Sequence, residues 1–245
     1  MRWRCECQYD GTDFQGWQSQ PHGNTLQDYI EGRLAVIFGK KVRIHGSGRT
    51  DCGVHARGQV FHFDGEWHHD TEKLRRALHS GLPSGIQITE IHEVDNYFHA
   101  RFSVKKKRYT YQIYLGHASP FEKRYKWSIG HRTIDLPQMN ALAHCLLGEH
   151  DFSAFGAFGG DHKDTHPRKT LYQLTFLQDG CDVILATEGN GYLYKMVRTL
   201  TATLLEVGLG KIDGNYVLDC FQKGIRREKI TTAPPHGLFL DKVFY

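Results

Sequence analysis

Arg2 to Tyr9 sets Trp3, Cys5, Cys7 and Tyr9 at alternate positions, the period of two that a half-buried strand requires. Asn24-Thr25-Leu26-Gln27 then supplies a cap with Gln at the third helical position. Leu26, Ile30, Leu34 and Ile37 fall on one stripe and Gly39 follows as a stop, so the segment predicts a helix. Val42 to Gly46 and Gln59 to Asp64 predict two strands bracketing a glycine-rich loop. Asp70 caps a second helix through Leu74, Leu78 and Gly81, and Ile86 to Val94 predicts the closing strand. The order strand, helix, strand, strand, helix, strand matches the split βαβ unit of ferredoxin-like sheets. Its helices share one face, and the other is expected to stay open for a ligand.

The second half loosely repeats the first. From Val104 a strand over Lys107 to Tyr114 leads through Tyr125 to Gly130 into a helix capped by Asp135, with Pro137 near its start and Gly148 after its end. Strands at Leu171 to Leu177 and Val183 to Thr187 follow. Leu193 to Val207 reads as a helix with Met196, Leu200 and Leu204 inward, Gly214 to Gln222 as a shorter one, and Leu238 to Phe244 as a last alternating strand. The expected fold is α+β: two ferredoxin-like lobes, 1–100 and 101–245, with antiparallel sheets meeting around a central cleft. No Pro/Ser-rich linker divides them.

Composition narrows the class. With 40% hydrophobic, 24% charged and 12% aromatic residues, the chain is a folded rather than a disordered one. Apolar runs such as Leu34 to Phe38 are far shorter than the roughly 20 residues of a membrane span, so no membrane is expected as partner. Glu6 stands where the apolar centre of a secretory signal would begin, which predicts a cytoplasmic protein. The six cysteines are scattered without a C-x-x-C pair, as suits reduced thiols. Charge is uneven: residues 1–100 carry 11 basic and 13 acidic side chains, residues 101–245 carry 20 and 14. That asymmetry points to a polyanion against the second half, and Lys105-Lys106-Lys107-Arg108 beside alternating aromatics is its strongest local sign. By itself, a basic run of four is more often a solvated face.

Gly46 to Ala56 gathers three glycines, Arg49 and Asp51 into one loop. Neither phosphate-binding fingerprint fits it: G-K-[ST] is missing, and the third glycine of the dinucleotide spacing is Asp51, followed by a strand rather than a helix. On generic grounds Asp51 is a turn carboxylate bonding its own backbone. However, Gly48-Arg49-Thr50-Asp51-Cys52-Gly53-Val54-His55-Ala56, followed by Gln59-Val60, resembles the signature loop of the tRNA pseudouridine synthase A family. Tyr9 to Gln18, Phe98 to Ser103, Lys107 to Tyr111, Gly148 to Phe155, Met196-Val197-Arg198 and Ala233 to Leu238 resemble further motifs of that family, in order. Two departures stand out: Cys52 replaces the Ala common in the family, and Asp161 to Lys169 has no counterpart in its pattern.

The resemblance implies that Asp51 is the essential carboxylate, Tyr109 the aromatic residue against the target base and a possible general base, and Arg198 the basic partner of Asp51. It also implies that Arg49 contacts RNA and helps displace the target nucleotide. The reaction breaks ribose C1′–N1, turns the uracil and joins C1′ to C5. That calls for an anionic nucleophile or oxocarbenium stabiliser, a flat surface for the extruded base, and a guanidinium that keeps the carboxylate ionised. Lys105, Lys106, Lys107 and Arg108 are expected on phosphates, as are Arg226, Arg227 and Lys229. Without the resemblance, Tyr109 is equally an inward strand aromatic alternating with Tyr111. The implied substrate is tRNA at uridines of the anticodon stem-loop, roughly positions 38 to 40 read by shape, and the implied assembly a homodimer. No cofactor and no metal are implied, since the isomerisation is redox-neutral and needs no activated water.

Two other classes remain to be weighed. Sixteen histidines raise a metal-dependent phosphohydrolase, with His68-His69-Asp70, His150-Asp151 and His162-x-Asp164-x-His166 as ligand types, but none sits in a metal-binding helical frame. Asp151 reads as a cap or turn residue. A non-catalytic RNA-binding protein would keep the basic face but has no use for Asp51, Tyr109 and Arg198 together.

Overall fold

The first half of the chain runs through β1 (Arg2–Tyr9), α1 (Leu26–Phe38), β2 (His45–Gly46), β3 (His55–Asp64), α2 (Thr71–His79) and β4 (Ile86–Val94). The second half runs through β5 (Lys106–Tyr114), β6 (Trp127–Ser128), α3 (Leu136–Cys145), β7 (Gly148–Asp151), β8 (Arg168–Asp179), β9 (Asp182–Gly189), α4 (Met196–Gly208), α5 (Gly214–Lys223) and β10 (Leu238–Phe244). This computed structural model describes residues 1–157 and 166–245. The chain is α+β and divides into two compact units, Met1–Lys105 with Phe239–Tyr245, and Lys106–Leu238.

In the first unit, β1 is central: it pairs antiparallel with β3 on one side and β4 on the other. The predicted alternation holds, with Trp3, Cys5, Cys7 and Tyr9 all buried. The outer edge of β3 is shared, β2 lying antiparallel against Phe61 and His62 while β10 lies parallel against His55 and Ala56. Strand β3 starts four residues earlier than expected because of that second neighbour. Gly58 permits the approach, since a Cβ there would stand 2.5 Å from Asp241 O. The strand expected over Val42 to Gly46 shrinks to two residues: the Ile44 N–H donates to Glu31 Oε1 at 3.0 Å, a side chain of α1, instead of entering a ladder.

Helix α1 buries Leu26, Ile30 and Leu34, each worth about 1.5–3 kcal/mol. Its capping box is Thr25 with Asp28, one residue later than the motif suggested. Asn24 instead takes φ 58° and donates to Asp13 O. The face of this sheet opposite the buried stripe is not left open along its length. Ala100 N–H donates to His62 Nδ1 at 3.1 Å, and Tyr245 Oη donates to Ala100 O at 2.7 Å, so the segment after β4 lies on it.

In the second unit the sheet order is β5-β9-β8-β7, all antiparallel, with β9 and β8 lying between β5 and β7, the strands on either side of α3 in sequence. Tyr111, Val183, Leu185, Leu174 and Phe176 line the buried face. Helix α4 is buried over nearly its whole length and begins at Met196 rather than Leu193, because Lys195 sits at φ 60° and cannot continue a helix backward. Strand β7, Gly-Glu-His-Asp, was not foreseen: four polar residues show no alternation of hydrophobic side chains. Of the segment Tyr125 to Gly130, only Trp127–Ser128 is strand, parallel to β5. Among the described residues no helix is long and apolar enough to cross a membrane.

Candidate active site

The Asp51 loop is held from two directions. Ser47 Oγ donates to Gln59 Oε1 at 2.7 Å, and Gln59 Nε2 donates to Gly48 O at 3.1 Å, so one fully buried side chain of β3 fixes the loop entrance. The Thr50 hydroxyl meets Tyr9 Oη at 2.9 Å, and Thr50 O accepts the Trp17 N–H at 3.1 Å. The two residue types that precede the carboxylate are thus split, with Thr50 turned in and Arg49 turned out. After it, Val54 N–H closes a turn onto Asp51 O at 3.1 Å through Gly53 at φ 76°.

The segment after β1 crosses this loop at close range. A Cβ on Gly16 (φ 81°) would stand 2.7 Å from Thr50 O, and one on Gly11 only 2.0 Å from Val54 O. His55 Nδ1 lies 3.0 Å from the Gly11 nitrogen and 3.1 Å from Asp10 Oδ1. Asp51 itself is half-buried, and Cys52 beside it is exposed. The Asp51 backbone therefore lies in a turn, within a loop that Tyr9, Trp17 and Gln59 tie down through Thr50 and Gly48. Nothing in their spacing announced those three as supports.

Tyr109 and Arg198 belong to the second unit, Asp51 and Arg49 to the first. Tyr109 is buried in β5 opposite Thr187 and meets the Tyr192 ring edge-on at 5.1 Å. Tyr192 Oη lies 3.2 Å from Thr187 Oγ1, and burial holds its hydroxyl well above the ordinary phenol range. Sequence reasoning missed Tyr192. Arg198, in the first turn of α4, donates from Nε to Ala233 O at 2.8 Å, and Ala233 N–H donates to Arg198 O at 3.1 Å. Tyr111 Oη donates to Pro234 O next door at 2.7 Å. The 233–237 motif thus anchors the arginine, and Gly237 lies where a Cβ would stand 2.7 Å from the Tyr111 ring.

The basic run divides by strand alternation. Lys106 and Arg108 share the face of Glu188, whose carboxylate they grip at 2.5 and 2.6 Å. Their hydrogen bonds and charge pull this buried carboxyl below its usual range against the cost of burial. Two of the four expected phosphate contacts therefore already hold an anion of the protein. Lys105 N–H donates to Phe244 O. Arg226 spends its guanidinium on Ile230 O, Gly156 O and Thr232 Oγ1, and Arg227 pairs with Asp219 at 2.7 Å.

Of the histidine groups, His162 and Asp164 lie outside the described residues. His150 Nε2 is 2.7 Å from Leu147 O, and Asp151 Oδ1 accepts the Ser153 N–H, the turn role expected of it. Among the described residues no three His, Cys, Asp or Glu side chains converge as one metal site.

Comparison with known proteins agrees with this arrangement of motifs. A family model described as tRNA pseudouridine synthase matches residues 7–103 and 142–245. The chain is 41% identical over 251 residues to tRNA pseudouridine synthase A of Latilactobacillus sakei subsp. sakei (strain 23K), covering 100% of this chain and 99% of that one. Identity to tRNA pseudouridine synthase A of Bacillus subtilis (strain 168) is 39% over 248 residues, with the same coverage. For tRNA pseudouridine synthase A of Citrifermentans bemidjiense it is 40% over 240 residues, covering 97% and 95%.

Proposed function

The chain belongs to the tRNA pseudouridine synthase family, which isomerises uridine to pseudouridine in tRNA, and from that premise we propose where it acts and which side chains do the work. Its targets are uridines of the anticodon stem-loop, roughly positions 38 to 40, recognised by helical shape and phosphates. Asp51 supplies the carboxylate. Tyr109 receives the extruded base and takes the C5 proton, and Arg198 keeps the Asp51 carboxylate ionised. Arg49, Lys105, Lys106, Lys107 and Arg108 meet the RNA. The assembly is a homodimer working in the cytoplasm, where its tRNA substrate is matured.

The bond count is simple. C1′–N1 breaks, N1 gains a proton after the base has turned, C1′–C5 forms, and the proton on C5 leaves. No electrons are gained or lost, so the work of the protein is to stabilise charge and to hold a detached or tethered base. A carboxylate does the first as it does in glycoside chemistry. A flat aromatic surface does the second, repaying part of the few kcal/mol that flipping costs.

The observation that carries this reading is the frame around Asp51: Thr50 is tied through its hydroxyl to Tyr9 and through its carbonyl to Trp17, a rigidity that a plain turn has no need of. The test is Asp51→Asn and Asp51→Glu on a prefolded tRNA transcript, with pseudouridine mapped at nucleotide resolution. Asn keeps size and turn bonding but not charge. Both variants should fold and bind tRNA, with Asn inactive and Glu down by about 100-fold for a displacement near 1 Å. An Asn variant modifying tRNA near the wild-type rate returns Asp51 to the role of a turn residue, and pseudouridine outside the anticodon arm overturns the target assignment. Sedimentation of the purified protein tests the dimer.

A further inference from the structure

Gln27 occupies a position on the buried stripe of α1 where an apolar residue would pack, and both ends of its amide are hydrogen-bonded. Nε2 donates to Glu31 Oε1 at 2.7 Å, one turn along the same helix. Oε1 accepts the backbone N–H of Ser19 at 3.1 Å and Gln18 Nε2 at 2.7 Å. Two neighbours of fixed polarity decide which way this amide points. The Ser19 N–H can only donate. The Glu31 carboxylate accepts, and is loaded with donors from Ile44 N–H at 3.0 Å and Arg43 Nη1 at 3.2 Å. A flipped Gln27 would set NH2 against N–H and C=O against carboxylate.

That orientation dictates the next one. Because Gln27 presents oxygen, Gln18 must present its NH2 inward, which leaves Gln18 Oε1 facing outward as an acceptor. Arg49 Nε donates to it at 3.2 Å. The sense of the chain runs one way, from Glu31 through Gln27 and Gln18 to the exposed Arg49, two residues before Asp51. An exposed arginine otherwise carries rotamer freedom that must be surrendered on meeting RNA.

We propose that Gln18 and Gln27 are positioning residues for Arg49: a polar relay, rooted in the part-buried Glu31 carboxylate, that pre-orients the guanidinium for the tRNA. The donor left to the relay is Nε, so both terminal nitrogens of Arg49 stay directed away from Gln18 and toward the substrate's phosphate or displaced nucleotide, in a bidentate fork. This inference rests on the assignment of Arg49 to RNA contact made above, and the experiment separates the two.

The experiment is a double-mutant cycle on kcat and KM for prefolded tRNA, using Gln27→Leu and Gln18→Met, each in the Arg49 protein and in an Arg49→Ala background. Gln18→Met sits at the half-exposed end of the relay and preserves folding should Gln27→Leu unfold the protein, which thermal melts report. The expected result is a fall in kcat/KM of about tenfold for each relay variant in the Arg49 protein, carried mainly by KM, and less than twofold in the Arg49→Ala background. Equal losses in both backgrounds would show the glutamines acting on the fold alone and overturn the relay while leaving the reading of Arg49 intact. Wild-type kinetics for Arg49→Ala would remove Arg49 from RNA contact and the relay's purpose with it. Wild-type kinetics for both relay variants beside an impaired Arg49→Ala would overturn only the relay.

Discussion

His62 accepts the Ala100 N–H on Nδ1, so its ring is neutral with the proton on Nε2; it stacks on His45 at 5.0 Å and meets His99 edge-on at 4.6 Å. His99 likewise accepts the Arg101 and Phe102 N–H groups. Burial, then the neighbouring His99, Arg2 and His45, push His62 down to about 4, with only Asp64 pulling the other way. A folded ring that refuses a proton the unfolded ring accepts near pH 6.5 loses stability as pH falls from 6.5 toward 4, at up to about 1.4 kcal/mol per pH unit. Urea unfolding at pH 7, 6 and 5 should show this decline, and His62→Gln, whose amide oxygen can take the same N–H, should flatten it. A wild-type stability level across that range would mean the ring protonates in place. Little of this was legible beforehand: in a chain with sixteen histidines, which three meet depends on strand register and on a segment far along the chain. The roles proposed for Asp51, Tyr109 and Arg198 rest on the resemblance of their neighbours to family motifs, not on any pattern of the three residues themselves. Tyr192, Tyr9 and Gln59, which support them, are ordinary strand and loop residues until the sheet brings them alongside.

At the scale of elements, periodicity located strands and helices well and their ends poorly. Strand β1 and helix α1 carry clear patterns because each buries one face. Strand β3, buried on both faces, hides its first residues in what looks like loop, and β2 loses most of its predicted length to a side-chain acceptor on α1. The crossing of the β1–α1 segment over the Asp51 loop is a backbone event that no hydrophobic pattern records. Gly16 is where the crossing also demands a left-handed backbone, combining φ 81° with a Cβ site 2.7 Å from Thr50 O. Gly16→Ala should therefore cost more than the ~1 kcal/mol typical of a left-handed alanine, of order 2–3 kcal/mol with the overlap included. Equilibrium unfolding measures it, and activity should fall further than stability since Thr50 O is the atom displaced. A change below about 0.5 kcal/mol would mean the two segments part without consequence.

For the molecule as a whole, the charge asymmetry is the feature that reaches farthest. If the second half meets the phosphate backbone, log affinity for tRNA falls against log salt by ~0.7 to 0.9 for each phosphate neutralised. The ion pairs of Lys106 and Arg108 with Glu188 temper the estimate drawn from sequence, because a cation already sharing a carboxylate releases fewer counterions. Replacing Lys105, Lys106 and Lys107 together by Gln should reduce the slope by about one to two contacts rather than three. A filter-binding titration over salt reads this directly, and an unchanged slope would turn the run away from RNA. The grouping of Phe239–Tyr245 with the first unit has a consequence of another kind. On a ribosome adding roughly 5–20 residues per second, β1, β3 and β4 emerge early, yet the parallel neighbour of His55 and Ala56 arrives only after the whole second unit has been made, some ten to thirty seconds later. Through that interval the edge of the strand that leads out of the Asp51 loop stands bare, an adhesive seam that nascent chains and chaperones can reach before the protein closes it.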